Sequence, residues 1–303
     1  MPLGLTPQHR AALWLLLAIL SWAGNALVAR ALAGSVPPMA MSFWRWAGAF
    51  LILIPLTAPL LWRERARLRQ GGWRLVVLGV LGISTFNTIL YHAAVSTTAI
   101  NITLVNTTLP VAVFALSGWL LNSWPTRRNV LGTLVALLGL LWLISAGSWQ
   151  RLWALQFNQG DVLMLLAVLD WGLYSVLLKR WAAHLQGFSP MLLLAALVLI
   201  GAPPLLPLYW WEWQQVGGFA LTVGNLAGIA YTAVFASLLA YFGWNQGVRV
   251  LGANTAAVFN YLMPVFTAVL AVWLLDEQVT WAHACGGGLI LFGLWWGQRS
   301  AAH

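Results

Sequence analysis

Two charged residues stand inside long apolar stretches of the sequence and are the side chains there most able to do chemistry. Arg45 lies about eight residues into one stretch and Asp170 about nine into another, so a helical rise of about 1.5 Å per residue predicts similar depths. A charge inside a membrane is costly and therefore marks a functional candidate. Asp170 is a candidate for a proton-carrying or amine-binding carboxylate. The alternative is that it forms a structural charge pair with Arg45.

Asn106 and Asn260 each stand four residues before a proline, Pro110 or Pro264, in stretches that predict helix. Because proline has no N–H, the carbonyl four residues back loses its helical partner. The pattern predicts a bare backbone acceptor beside a carboxamide, twice, with a hinge at each proline. Water, another helix or a ligand must satisfy such groups in hydrocarbon. The alternative is that neighbouring polar side chains do so and the prolines only bend the helices.

Other polar and aromatic side chains complete the candidate site. Amide and hydroxyl groups suit a polar cavity, although membrane helices also use them to pack against each other. Aromatic walls suit an amphipathic substrate and can hold an ammonium group by cation–π attraction, with packing as the alternative role of each ring. The further candidate substrate-binding residues are Trp22, Asn87, Tyr91, Asn101, Trp171, Tyr174 and Asn245.

The composition predicts a membrane protein. Of 303 residues, 61% are hydrophobic and only 7% are charged, whereas roughly a quarter of the residues in a soluble domain are charged. The net charge of +9 is better explained by membrane orientation than by nucleic-acid binding, because the chain has no soluble surface to carry a basic patch. The lone Cys285 excludes an internal disulfide framework.

Apolar runs long enough to cross the hydrocarbon core recur along the chain. The first run continues past Trp22 and predicts a signal anchor that stays in the protein. Short connections carry breakers such as Gly71-Gly72, and the tract from Gly201 to Pro207 predicts a kink in the seventh helix. The ten predicted helices span residues 11–31, 37–61, 72–94, 96–121, 128–147, 160–181, 188–210, 219–244, 250–275 and 280–298.

Basic residues predict the orientation of these helices. With a cytoplasmic N-terminus, twelve lie at cytoplasmic ends, and only Arg30 and Arg151 lie on the opposite side. This bias predicts that both chain ends are cytoplasmic. The twelve are Arg10, Arg63, Arg65, Arg67, Arg69, Arg74, Arg127, Arg128, Lys179, Arg180, Arg249 and Arg299.

The sequence also contains an internal repeat. Residues 99–142 align with residues 253–296 without a gap, and 14 of the 44 positions are identical, among them Asn106/Asn260 and Pro110/Pro264. Because five spans per half is an odd number, the halves have opposite orientations. We therefore predict an all-α membrane protein with ten transmembrane helices arranged as two inverted five-helix repeats, residues 1–147 and 160–303, joined by a connector at 148–159.

Several short motifs resemble those of the drug/metabolite transporter superfamily, of the EamA type. They are Phe43-Trp44-Arg45-Trp46, Tyr91-His92-Ala93-Ala94-Val95, Leu109-Pro110-Val111, Ala253-Asn254-Thr255-Ala256-Ala257, Met263-Pro264-Val265-Phe266, Leu275-Asp276-Glu277-Gln278-Val279-Thr280, Gly286 and Gly293. The first half departs from the pattern, because Asn122-Ser123-Trp124-Pro125 stands where an acidic residue is usual. The resemblance implies a ten-helix exporter of small metabolites, often amino acids. The Trp-rich character is most similar to the aromatic amino-acid exporters.

These observations predict a secondary transporter in the bacterial inner membrane, working by alternating access. The alternatives are an exchanger of phosphorylated or nucleotide-linked sugars, which would want several cations in its cavity, and a channel-like or structural membrane protein. No nucleotide loop, zinc motif or catalytic triad is visible, so we expect neither an enzyme nor a bound cofactor. The expected partners are a small-molecule substrate and the lipid bilayer, without nucleic acid. We expect a monomer, with a dimer as the alternative.

Overall fold

The computed structural model describes residues 6–32, 34–97, 102, 105–145, 147–148, 150, 153–154, 158–275 and 281–298. Every regular element in these ranges is a helix. The α-helices are α1 (Pro7–Leu32), α2 (Pro38–Arg63), α3 (Arg65–Gly79), α4 (Phe86–Ser96), α5 (Leu109–Leu121), α6 (Arg127–Ile144), α7 (Gln159–Arg180), α8 (Pro190–Gly201), α9 (Leu205–Val216), α10 (Val223–Tyr231), α11 (Ala240–Leu251), α12 (Ala253–Phe259), α13 (Leu262–Leu275) and α14 (Trp281–Gln298). Two π-helical segments, Val80–Thr85 and Thr232–Leu239, join α3 to α4 and α10 to α11.

Five helical stretches within the described ranges are long and apolar enough to cross a membrane: α1, α2, α7, and the stretches from α3 to α4 and from α10 to α11. A sixth is added if α8 and α9, which meet at a 43° bend, form one span. This bend confirms the kink predicted at Gly201 to Pro207. The other predicted spans correspond to shorter or interrupted helices, so length and composition alone establish fewer than ten spans.

The prediction that Pro110 and Pro264 lie inside continuous helices is wrong. The helix containing Pro110 begins at Leu109, so the proline lies in its first turn. Likewise α12 ends at Phe259, and Pro264 is in the first turn of α13. A proline in the first turn costs no helical hydrogen bond, because the N–H groups there have no intrahelical acceptor. The two prolines therefore open new helices after a break.

Each π-helical segment accepts hydrogen bonds from side chains of the other half of the chain. In the first segment, the Gly82 carbonyl accepts a hydrogen bond from the Tyr241 hydroxyl at 2.5 Å. In the second, the Ala236 carbonyl accepts from Trp22 Nε1 at 2.9 Å and from the Arg45 guanidinium at 2.8 Å. Each of these two carbonyls therefore accepts a hydrogen bond from a side chain of the opposite half.

Helices α6 and α14 pack with their backbones in close contact. A Cβ atom on Gly132 would lie 2.5 Å from the Gly293 carbonyl oxygen, and one on Gly139 would lie 2.6 Å from the Gly286 carbonyl oxygen. Only glycine permits this approach. Gly132, near the start of α6, meets Gly293, near the end of α14, whereas Gly139, later in α6, meets Gly286, near the start of α14. The two helices therefore run antiparallel.

The outer surface of the helices is apolar. Large side chains such as Leu51, Leu56, Val111 and Leu138 are more than half exposed. Exposed apolar faces of this extent are typical of helices that contact lipid. The buried core continues through both halves of the described chain.

Candidate functional site

A cavity of about 530 Å³ lies between the two halves of the chain. It is lined by residues of α1, α2, α4, α5, α7, α11 and α13 and of the turns that precede α5 and α13. Its volume lies within the range of about 300–1,000 Å³ that is typical of small-molecule sites. The predicted site residues that line it are Trp22, Arg45, Tyr91, Asn106, Trp171, Asn260 and Pro264.

Aromatic rings form one wall of the cavity. Trp22 and Trp171 meet edge to face, with ring centroids 5.4 Å apart. Trp171 also packs against Phe86 at 4.9 Å and Tyr241 at 5.2 Å, and all four rings line the cavity. Such a wall offers a large apolar contact to a planar or amphipathic ligand. Phe86 and Tyr241 were not predicted, because a single aromatic residue in an apolar helix gives no signal.

Arg45 is buried, at 2% exposure, and reaches the cavity from the second helix. Its Nε donates to Ser237 Oγ at 2.6 Å, and a terminal nitrogen donates to the Tyr91 hydroxyl at 3.4 Å. The bond to the Ala236 carbonyl described above completes its hydrogen bonds, and the guanidinium also lies over the Trp46 ring, 5.4 Å from the ring centroid. All three acceptors are uncharged, and they fix the position of the guanidinium without neutralising it.

Asp170 does not form the predicted ion pair with Arg45. The ion pairs in the described part of the chain join Glu64 to Arg63 and to Arg67. Asp170 is 9% exposed, does not line the cavity, and its Oδ2 is buried without a hydrogen-bond partner. Similar depth in the membrane did not bring the two side chains together, because depth does not determine which way a helix face points.

The two asparagines before the prolines meet each other. Asn260 Nδ2 donates to the Asn106 backbone carbonyl at 3.5 Å, and Asn106 Nδ2 approaches Met263 Sδ at 3.7 Å. The Asn260 carbonyl accepts from the Met263 N–H at 3.0 Å. The prediction of two bare carbonyls is therefore wrong, because each has a partner. Both distances to the carboxamide nitrogens are long, so these amides are weakly held and face the cavity.

Three other predicted residues form a buried layer behind the cavity lining. The Tyr174 hydroxyl donates to Asn245 Oδ1 at 2.5 Å, and Asn87 Nδ2 donates to the Tyr241 hydroxyl at 3.3 Å. Next to them, Trp244 Nε1 donates to Ser175 Oγ at 3.1 Å. Tyr174, Asn87 and Asn245 therefore pack helices together. Pro110 is also outside the lining, and Asn101 lies outside the described residues.

Asn25 is a polar lining residue that was not predicted from the sequence. Asn25 lies one helical turn after Trp22, is 9% exposed, and its Oδ1 is buried without a partner. Its carboxamide makes no hydrogen bond within the described part of the chain. A lone asparagine in an apolar helix has no spacing pattern that would reveal it.

Comparisons with known proteins support the sequence resemblance. The chain is 26% identical over 264 residues to the uncharacterized transporter YyaM of Bacillus subtilis, covering 86% of this chain and 84% of that protein. It is 27% identical over 290 residues to an uncharacterized transporter of Archaeoglobus fulgidus, and the match covers 93% of this chain and 95% of that protein. A crystal structure of a protein that is 22% identical in sequence superimposes with a TM-score of 0.76. The match covers 97% of this chain and 99% of that protein's chain, so the two have the same fold.

The model of the EamA-like transporter family matches the chain twice, at residues 9–145 and 158–296. The two matches correspond to the two copies of the repeat and together include most of the chain. This result confirms the resemblance found in the sequence motifs. The protein is therefore a multi-pass membrane transporter, and it belongs to the EamA-like transporter family.

Proposed function

We propose that the protein is a secondary carrier that exports small amphipathic metabolites, in particular amino acids and among them aromatic ones. The observation that carries this proposal is the cavity between the halves, which combines an aromatic wall with one buried cation and three carboxamides. An aromatic amino acid offers matching groups: a ring for the wall, a carboxylate for Arg45 and an ammonium for the carbonyl and amide oxygens at Asn106 and Asn260.

The proposed topology has ten spans in two inverted repeats, with both chain ends in the cytoplasm of a bacterium. The antiparallel packing of α6 against α14, which are equivalent helices of the two repeats, supports the inversion. In this topology the cavity lies in the outer half of the membrane, because it is lined by the C-terminal half of α1 and the N-terminal parts of α2 and α7.

The layer formed by Tyr174, Asn245, Ser175 and Trp244 would separate this cavity from the cytoplasm. Alternating access requires this barrier and the contacts at the outer ends of the helices to open in turn. One such outer contact joins the halves and is formed in this structure: both Glu212 carboxylate oxygens accept from backbone N–H groups at the start of α2, at 2.9 Å from Met39 and 2.7 Å from Ala40. Exchange of phosphorylated sugars is less well supported, since Arg45 is the single cation among the described lining residues.

Flux measurements in proteoliposomes test the proposal. Labelled phenylalanine, tryptophan and leucine should enter by saturable uptake and should be accelerated by the same unlabelled amino acid inside the vesicle. A panel of inorganic cations serves as the control, because a channel would pass some solute without saturation or acceleration. Absence of saturable counterflow for every amino acid tested would refute the carrier proposal.

A further inference from the structure

We propose that Arg45, Tyr91 and Asn25 form a carboxylate-binding subsite, so that a free carboxylate is the one group every substrate must carry. The inference rests on the proposed carrier function and narrows its substrate class. An amino acid would be bound through its carboxylate, and aromatic monocarboxylates without an amine would also be substrates.

The first argument is the unbalanced charge of Arg45. A guanidinium has five N–H donors, and three hydrogen bonds to uncharged acceptors leave two of them free. No carboxylate lies within ion-pair distance of it in the described part of the chain. A buried cation without a counter-ion is costly, and a ligand anion would remove that cost.

The second argument is the availability of two neutral donors in the lining of the same cavity as this cation. The Tyr91 hydroxyl accepts its bond from Arg45, so its own hydrogen is free to donate to a ligand. Tyr91 is buried and lines the cavity. Asn25 lines the cavity too, with its Oδ1 buried and without a partner. The NH2 group of the same carboxamide can supply further N–H donors. Together with the fork of the guanidinium, these donors suit the planar oxygens of a carboxylate.

The third argument is the position of the apolar wall. Trp22 Nε1 and the Arg45 guanidinium donate to the same carbonyl oxygen, that of Ala236. The indole therefore lies directly beside the cation, and Trp171 and Tyr241 continue the wall. A ligand whose carboxylate is on Arg45 places a nearby ring against these aromatic side chains.

The fourth argument is the weaker provision for an amine. The described lining residues include no aspartate or glutamate. Asp161 accepts a hydrogen bond from the lining residue Thr97, but its other oxygen accepts from the Asn158 N–H at 2.7 Å and caps α7. An ammonium group would meet only neutral oxygens, whereas the carboxylate meets a full positive charge.

Two analogues of phenylalanine separate the contribution of the carboxylate to binding from that of the amine in the wild-type carrier. Hydrocinnamate keeps the carboxylate and lacks the amine; phenethylamine keeps the amine and lacks the carboxylate. Hydrocinnamate should compete with labelled phenylalanine within about threefold of unlabelled phenylalanine itself, while phenethylamine should compete at least about 100-fold more weakly. Equal competition by the two analogues would overturn the subsite.

Variants locate the subsite. Tyr91→Phe should raise the half-saturating phenylalanine concentration about tenfold, the effect of one lost hydrogen bond to a charged group. Tyr209→Phe removes a tyrosine hydroxyl outside the cavity lining and should have no effect on this concentration.

Asn25→Asp should weaken the binding of hydrocinnamate and strengthen the binding of phenethylamine, because it places a negative charge beside the ligand. If folded Asn25→Asp protein kept the wild-type preference for hydrocinnamate over phenethylamine, Asn25 would not belong to the carboxylate-binding subsite.

Binding measured by tryptophan fluorescence distinguishes this inference from the carrier proposal. Hydrocinnamate that quenches fluorescence but shows no counterflow would refute carrier function and leave the subsite standing. Saturable counterflow of phenethylamine, with weak binding of hydrocinnamate, would support a carrier and refute the subsite.

Discussion

Asp170 places an unpartnered carboxyl oxygen in the interior of a membrane protein. We expect Asp170→Asn to leave thermal stability unchanged, because the carboxamide has the same shape and no ion pair is lost. If the carboxyl carries the coupled proton, the variant should also lose any dependence of transport on a pH gradient. Flux at equal and unequal pH across the vesicle membrane measures this.

Asp161→Asn is the matched control, since Asp161 is an acidic residue of the same helix that does have partners. It should destabilise the protein by about 1 kcal/mol through the loss of capping interactions. An Asp170→Asn carrier with wild-type rates and an unchanged pH profile would show that Asp170 carries no coupled proton.

Asn106 and Asn260 offer a second test at the scale of single residues. Their weakly held carboxamides face the cavity, so Asn106→Ala and Asn260→Ala should each weaken substrate binding by roughly 1–2 kcal/mol. Asn254→Ala removes an amide from α12 outside the cavity lining and should leave affinity unchanged. Equilibrium binding measures all three, and unchanged affinity in both cavity variants would place the ligand elsewhere.

At this scale the sequence revealed the rare groups and missed the ordinary ones. Arg45 and Asp170 were recognisable because a charge in an apolar helix is unusual, and Asn106 and Asn260 because they recur in the repeat. Asn25 has neither property. The partners of Arg45 could not be predicted either, since two of them depend on a π-helical distortion near Ala236 and Ser237 that leaves no pattern in the residues.

At the scale of helices, the breaks before Pro110 and Pro264 are the features most open to test. An alanine supplies the missing N–H and lets the helix continue through the break. Pro110→Ala and Pro264→Ala should therefore slow turnover more than they weaken binding, because a continuous helix resists the movement of the two segments. Initial transport rates and equilibrium binding, measured on the same preparations, separate the two effects.

Pro190→Ala provides a control for these variants, because Pro190 also opens a helix, α8, but lies outside the cavity lining. Its turnover should resemble wild type. A larger loss of affinity than of turnover in Pro110→Ala and Pro264→Ala would contradict a hinge role. The repeat predicted where these breaks occur. Whether each proline bends a helix or begins one could not be predicted, because proline is compatible with both.

At the scale of the whole molecule, the distribution of basic residues makes the orientation testable. Cys285 is exposed and must first be replaced by serine. Single cysteines at the exposed positions Gln70 and Gln214 should then react with an impermeant maleimide from opposite sides, Gln70 from the cytoplasm and Gln214 from outside. Labelling of both positions from one side would refute the ten-span topology.

The exchange of carbonyl contacts between the π-helical segments has a consequence for the halves as separate polypeptides. A first half synthesised alone has an Arg45 without Ala236 and Ser237, and a second half alone has a Tyr241 without Gly82. Neither fragment can satisfy these groups in lipid, so each should be degraded when expressed singly. Co-expression of fragments divided within residues 148–159 should restore both accumulation and transport by complementation. Stable accumulation of either fragment alone would show that the reciprocal contacts are dispensable.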